Sequence, residues 1–325
     1  MIQASYDGKS LDFIVIGAAK SATTTLHELL KGHAEITVPA AKEVPFFSDE
    51  KVYAKGVQRY LRTWFRKADR ATLWGTVTPH YMIGQGQVRP EVIASRIHAE
   101  LPDCKLIALL RHPVDRAFSQ YKMNVQRGAE RRPFEQVVSQ VLANADELRG
   151  AIGPDEDYIF GSEYGRILGY YYDLFPENNI LILTTTELRA DAVATVRRIC
   201  KFLGADTSYE PDDVDTIHRQ GGSKPRVTAL TPGFLYRIPL IERFWKNLVP
   251  IFVRKRVEYF MNLWNSKPDS VTLDPSGEAF QRLVDFYRDD VALVESLTGQ
   301  EMPWPDWHRV TLAEQPQETK KDHVR

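Results

Sequence analysis

Residues 12–31 read DFIVIGAAKSATTTLHELLK, and the change of rhythm inside this stretch decides the fold. Phe13 to Ile16 is an apolar, mostly β-branched run that halts at Gly17, the pattern of a strand buried on both faces. From Thr25 to Lys31 the apolar positions Leu26, Leu29 and Leu30 recur at helical spacing. The link between the two is built from small residues, one lysine and several hydroxyls. Strand, tight loop and helix in that order open an α/β fold on a parallel sheet. Where such a helix begins, its first N–H groups lack intrahelical partners and its dipole adds partial positive charge. Lys20 supplies a full charge, and Ser21, Thr23, Thr24 and Thr25 supply hydroxyl donors around the amide of Ala22. The loop reads as a phosphate cradle, although an exposed loop with a capping threonine would carry the same residues. The spacing Gly-x-x-x-x-Gly-Lys-Ser/Thr of a nucleoside-triphosphate loop is absent.

The same rhythm recurs along the chain. Residues 105–110 (KLIALL) and 180–184 (ILILT) read as buried strands, and Leu73–Val77 as a shorter one. Helical patterns cover 89–100, 114–127, 133–148, 165–175, Glu187–Leu203 and 277–299. Strands alternating with helices predict a single α/β domain over residues 10–310, with a central parallel sheet flanked by helices. Residues 209–232 form a polar loop rich in Asp, Gly and Pro. Residues 311–325 read as a disordered tail. Residues 233–265 mix aromatics with basic residues and admit two readings: a helix pair packed on the sheet, or an interfacial patch touching an anionic membrane.

Composition narrows the class. The chain has 325 residues, 43% hydrophobic, with 42 Lys and Arg against 43 Asp and Glu. A near-neutral balance gives no global attraction to nucleic acid, so a polyanionic ligand must be met by local charge. Two cysteines, Cys104 and Cys200, make no disulfide framework. The first residues lack the pattern of a secretory signal, and no run of about 18 apolar residues occurs. The expectation is a cytoplasmic enzyme, with peripheral membrane contact through 233–265 if that patch is interfacial. No His/Cys/Asp cluster has metal-ligand spacing.

Two further segments carry chemistry. In LIALLRHPVDRAFSQY, Arg111 follows a strand and Ser119 lies about two helical turns later. A guanidinium fork and a hydroxyl beyond the carboxyl end of a strand suit a second, separate phosphate. The bland alternative makes Arg111 and Arg116 exposed charges at a helix start. In KEVPFF, Glu43 sits between Lys42 and aromatics. Burial there would raise its pKa towards neutrality and fit it for general-base work.

Together IGAAKSATTTL, AKEVPFFSDEKVYAKGVQRYLRTWF and the Arg111–Ser119 segment resemble the glycosaminoglycan-type sulfotransferases, including the heparan sulfate enzymes and their bacterial relatives. The resemblance spans roughly residues 10–230. It implies transfer of a sulfuryl group from 3′-phosphoadenosine 5′-phosphosulfate, without a metal, to a hydroxyl or amine acceptor. It implies that the Lys20–Thr25 loop holds the 5′-phosphosulfate, that Arg111 and Ser119 bind the 3′-phosphate, and that Glu43 takes the acceptor's proton. Tyr164 corresponds to a tyrosine near the adenine. Lys224 and Arg226 in HRQGGSKPR correspond to a basic segment that closes over the nucleotide. Ala22 stands where the family usually has glycine. In GTVTPHYM, Thr76 and Val77 replace an acidic and a basic residue, which removes a lysine that orients glycosaminoglycan acceptors and leaves His80 as a candidate substrate contact or auxiliary base. Two rivals remain at this point: a small-metabolite kinase of the P-loop type, and a nucleotide-binding module without chemistry.

Overall fold

In the computed structural model, which describes residues 5–84, 88–149, 158–211, 223–225, 266–268 and 272–308, five strands pair in parallel into one sheet. They are β1 (Phe13–Gly17), β2 (Ile36–Thr37), β3 (Leu73–Val77), β4 (Lys105–Leu110) and β5 (Ile180–Thr184). Their order is β2-β3-β1-β4-β5, so β1 lies in the middle. The chain lays β2 and β3 on one side of β1, then crosses to build β4 and β5 on the other. Such a reversal opens a crevice beyond the carboxyl ends of the central strands.

Helices cover both faces, as the sequence predicts. Along β1 and β4 successive side chains alternate between two buried clusters. Phe13, Val15, Ile107 and Leu109 join Leu26, Leu29 and Leu30 of α1 (Thr23–Lys31) on one face. Ile14, Ile16, Leu106, Ala108 and Leu110 face the other way. The remaining helices are α2 (Glu50–Tyr53), α3 (Val57–Phe65), α4 (Pro90–Glu100), α5 (Pro113–Gln126), α6 (Phe134–Ala143), α7 (Ala145–Leu148), α8 (Tyr164–Tyr172), α9 (Thr185–Ala190), α10 (Ala192–Leu203), α11 (Glu278–Thr298) and α12 (Pro305–His308). Val196, Ile199, Cys200 and Leu203 bring α10 onto the α1 face, while Ile97 of α4, Leu168 of α8 and Leu283 of α11 pack on the opposite one.

Several expectations are corrected. The helical pattern over Glu187–Leu203 is two helices, because Asp191 turns extended and its carboxylate accepts from the Ala194 N–H at 2.8 Å, capping a new start. The stretch 133–148 divides at Asn144. The edge strand β2 and helices α2 and α3 are additions that the sequence reading lacks. Cys104 and Cys200 are buried and unpaired.

The end of the described chain reaches back to the front of α5. His112 Nε2 lies 3.0 Å from Asp306 Oδ2, and the imidazole sits 4.8 Å from the Trp307 ring and 6.0 Å from that of Phe280. Ser223–Pro225 pairs antiparallel with Ser266–Pro268 and runs beside α5. Arg226 and the segments 233–265 and 311–325 lie outside the described residues. Among the described residues no helix is long and apolar enough to cross a membrane.

Candidate active site

Three backbone hydrogen bonds tie the loops after β1, β2 and β3 to the ends of neighbouring strands. Ala18 N–H donates to Leu109 O at 2.9 Å, Thr78 N–H to Val15 O at 2.9 Å, and Glu43 N–H to Val77 O at 3.2 Å. The approach is close enough that a Cβ on Gly17 would collide with Met82, which accounts for the glycine that ends β1.

The loop that follows is bent by two residues of left-handed backbone, Lys20 at φ 70° and Ala22 at φ 58°. Turns of this kind set successive N–H groups into an anion-binding concavity. Ala22 precedes the first residue of α1, which has no side-chain cap. The requirement for φ > 0 at Ala22 explains why a glycine suits this position. Ser21 is fully buried, and its hydroxyl has no hydrogen-bond partner among the described residues.

Lys20 is part-buried beside α5, with Nζ 3.4 Å from Met123 Sδ. Burial lowers its pKa to about 8, and the cations of Arg127, Arg111, Arg116 and Lys42 add to the effect. A lysine among like charges, whose side chain hydrogen-bonds only a thioether among the described residues, marks a place built for an anion.

Arg111 leaves the end of β4 and reaches the same loop, Nη1 donating to Lys20 O at 3.5 Å. Its other ion pair, to Asp115, is long at 3.8 Å, and its buried Nε has no partner among the described residues. Arg116 is not the exposed charge of the bland reading. It is fully buried, donating through Nε to Ser162 Oγ at 2.5 Å and through Nη2 to Tyr158 O at 2.7 Å. Ser119 is half-buried on α5, one turn before Met123 and so on the face that meets Lys20. Arg127 closes α5 on the same side and is the first of the charges acting on Lys20. Periodicity points to neither Arg116 nor Arg127, since an arginine on an amphipathic helix normally faces water.

Tyr164 opens α8 fully buried, its hydroxyl without a hydrogen-bond partner among the described residues and its ring 6.1 Å from Trp304. Lys224 lies on the short strand beside α5.

Glu43 departs most from expectation. It is about half exposed, with left-handed backbone at φ 62°. Lys42 Nζ meets one carboxylate oxygen at 2.6 Å, and His80 Nε2 stands 3.7 Å from the other. His80, with Lys42 assisting, holds the carboxyl at about 2, far below neutrality, against the smaller opposing effect of burial. The structure thus joins Glu43 and His80, which the sequence reading treats separately. At the end of β3, Thr76 and Thr78 present buried hydroxyls that have no hydrogen-bond partner among the described residues. Among the described residues no group of three or more His, Cys, Asp or Glu is arranged to hold a metal ion.

These loops belong to a recognised domain type. A model of the sulfotransferase domain matches residues 10–221, well over half the chain. The membrane-associated sulfotransferase kil1 of Dictyostelium discoideum is 35% identical over 125 residues, which are 37% of this chain and 25% of that protein. Human heparan sulfate glucosamine 3-O-sulfotransferase 6 is 27% identical over 236 residues, 68% of this chain and 62% of its own length. The chain therefore spans less than two thirds of these relatives. A solved sulfotransferase from Alicyclobacillus acidocaldarius shares the fold, with TM-score 0.63 and 22% identity over 93% of this chain and all of that one. With the domain match laid over the β1 loop, the Glu43 segment and the β4–α5 turn, the chain belongs to the sulfotransferase family.

Proposed function

We propose that this protein transfers a sulfuryl group from 3′-phosphoadenosine 5′-phosphosulfate to a hydroxyl or amine of an acceptor. The observation that carries the reading is the gathering of the Lys20, Arg111 and Arg116 charges beyond β1 and β4, where the Ser21 hydroxyl and the Arg111 Nε are buried without a hydrogen-bond partner among the described residues. Buried donors without acceptors are costly unless a ligand satisfies them. Two cationic anchors on different strands suit a nucleotide with separate 5′ and 3′ anionic groups better than a single triphosphate chain.

In this reading Lys20 and the loop amides of Ser21, Ala22, Thr23, Thr24 and Thr25 hold the 5′-phosphosulfate. They stabilise charge that develops on the leaving oxygens. Arg111 and Ser119 hold the 3′-phosphate. Tyr164 lines the nucleotide side, and Lys224 and Arg226 belong to the segment closing over it. Glu43 is the general base for the acceptor's proton, in-line attack then forms the new bond to sulfur, and adenosine 3′,5′-bisphosphate departs. Because Thr76 and Val77 stand where glycosaminoglycan enzymes carry acidic and basic residues, the acceptor need not be heparan sulfate.

A thermal-shift comparison tests the donor. At a hundredfold excess over its Kd, adenosine 3′,5′-bisphosphate stabilises by about 2.7 kcal/mol. ATP at the same concentration shifts the midpoint far less. Equal shifts, or no shift with either nucleotide, would overturn the assignment.

A further inference from the structure

We infer that Asp306, in the last described turn of the chain, is a positioning residue for Arg111: acting through His112, it holds the turn that aims the guanidinium at the donor's 3′-phosphate. This rests on the sulfotransferase reading and adds to it a residue far along the chain from the anchor it serves.

Arg111 is loosely fixed by its own contacts. Nη1 reaches Lys20 O only at 3.5 Å, Nη2 stands 3.8 Å from Asp115, and Nε has no hydrogen-bond partner among the described residues. A long side chain with such contacts takes its aim from the backbone beneath it. That backbone is set at the next residue. His112 is the N-cap of α5, with Pro113 following, and its Nδ1 accepts from the Asp115 N–H at 3.5 Å. Histidine is not among the usual capping residues, and its ring must present an unprotonated nitrogen to act as one. Nε2 therefore carries the ring proton and donates it to Asp306 Oδ2 at 3.0 Å. The carboxylate fixes the tautomer that the cap requires. Burial lowers the imidazole pKa and outweighs the opposing pull of Asp115 and Asp306, which keeps the ring neutral.

Asp306 is itself held in place. Trp307 Nε1 donates to Val284 O at 2.8 Å and so ties α12 to α11. The rings of Trp307 and Phe280, 4.8 and 6.0 Å away, confine the imidazole. Buried Trp304 lies 6.3 Å from that imidazole and 6.1 Å from the Tyr164 ring. One short segment thus reaches both the Arg111 turn and the tyrosine placed on the nucleotide side. Among the described residues no second acceptor meets Nε2. The Asp306 side chain is about one third exposed, so replacing it removes the hydrogen bond with little loss of packing.

Two nucleotides separate this role from a merely structural one. Adenosine 3′,5′-bisphosphate and adenosine 5′-monophosphate differ only in the 3′-phosphate, so the ratio of their Kd values reads the second anchor. A general loss of folded protein weakens both alike and cancels from the ratio. By calorimetric titration the wild type is expected to favour the bisphosphate by about 100-fold or more. Asp306→Ala is expected to lose about tenfold in affinity for the bisphosphate and less than about twofold for the monophosphate. Asp306→Asn keeps an oxygen that accepts the Nε2–H, and is expected to stay within about threefold of wild type for both. An unchanged ratio in Asp306→Ala, or a loss in Asp306→Asn as large as that in Asp306→Ala, overturns the inference. Equal binding of the two nucleotides by the wild type, or binding of neither, overturns the two-anchor sulfotransferase reading instead.

Discussion

Lys20 should take up a proton when an anion settles beside it. In the free protein, burial together with Arg127, Arg111, Arg116 and Lys42 brings its pKa to about 8. A bound phosphosulfate or phosphate reverses the local field and returns the ammonium towards the ordinary value of about 10.4. The ligand favours the charged lysine, so affinity is complete below pH 8 and is lost as pH rises through it. At pH 8.5 about three quarters of the free lysines are neutral and almost none in the complex, giving uptake of about 0.75 proton per site. At pH 7.5 the same arithmetic gives about 0.25, and between pH 7 and 9 the affinity drops about tenfold, or ~1.4 kcal/mol. The assay is calorimetric titration with adenosine 3′,5′-bisphosphate in two buffers of different ionisation enthalpy. Working above pH 7.5 avoids the phosphate's own ionisation near about pH 6. Lys20→Arg keeps a cation that does not titrate in this range, and is expected to bind with no uptake. Uptake below about 0.2 proton at pH 8.5, or equal uptake in Lys20→Arg, would refute the reasoning.

Two substitutions probe the scaffold. Ala22 holds left-handed backbone that costs a residue with a Cβ about 1–2 kcal/mol, so Ala22→Gly is expected to stabilise by about 0.5–1 kcal/mol after the extra freedom of the unfolded chain, and Ala22→Val to destabilise. Guanidinium unfolding checks both, and a less stable glycine variant would show that the loop is unstrained. Arg116→Leu leaves Tyr158 O buried without its guanidinium donor and is expected to cost about 2–4 kcal/mol in urea unfolding. A loss under about 1 kcal/mol would mean that the buried guanidinium does not brace the β4–α5 turn.

How much the sequence revealed follows from which forces act locally. Strands β1, β3, β4 and β5 were legible because central strands of a parallel sheet are apolar on both faces and halt at Gly17, Val77, Leu110 and Thr184. Strand β2 has two residues, too few for a pattern, whereas α3 carries a readable helical spacing in Val57, Tyr60, Leu61 and Phe65 that the sequence reading lacks. The break at Asp191 was written in the residue itself, an N-cap type inside a helical run, but the apolar spacing continues across it and masks the signal. At the site, Lys20 and Arg111 could be picked out by position relative to strand ends, and Glu43 by its place in KEVPFF and the resemblance that segment carries. Their relations could not. The Glu43–His80 pair joins two loops through β3, and the burial of Arg116 depends on Ser162 and Tyr158, which no local spacing connects to it.

The contact between His112 and Asp306 joins residues 194 positions apart. His112 is the neighbour of Arg111, so the turn that aims Arg111 is clasped by some of the last described residues of the chain. During synthesis, β1, the Lys20 loop and Glu43 emerge early, yet this clasp closes only after Asp306 has been made. Contacts of such long sequence separation form late, after the loop-closure entropy has been overcome. The ribosome thus releases the β1 loop long before the clasp that holds the β4–α5 turn can close, and the turn that carries Arg111 is the part that waits.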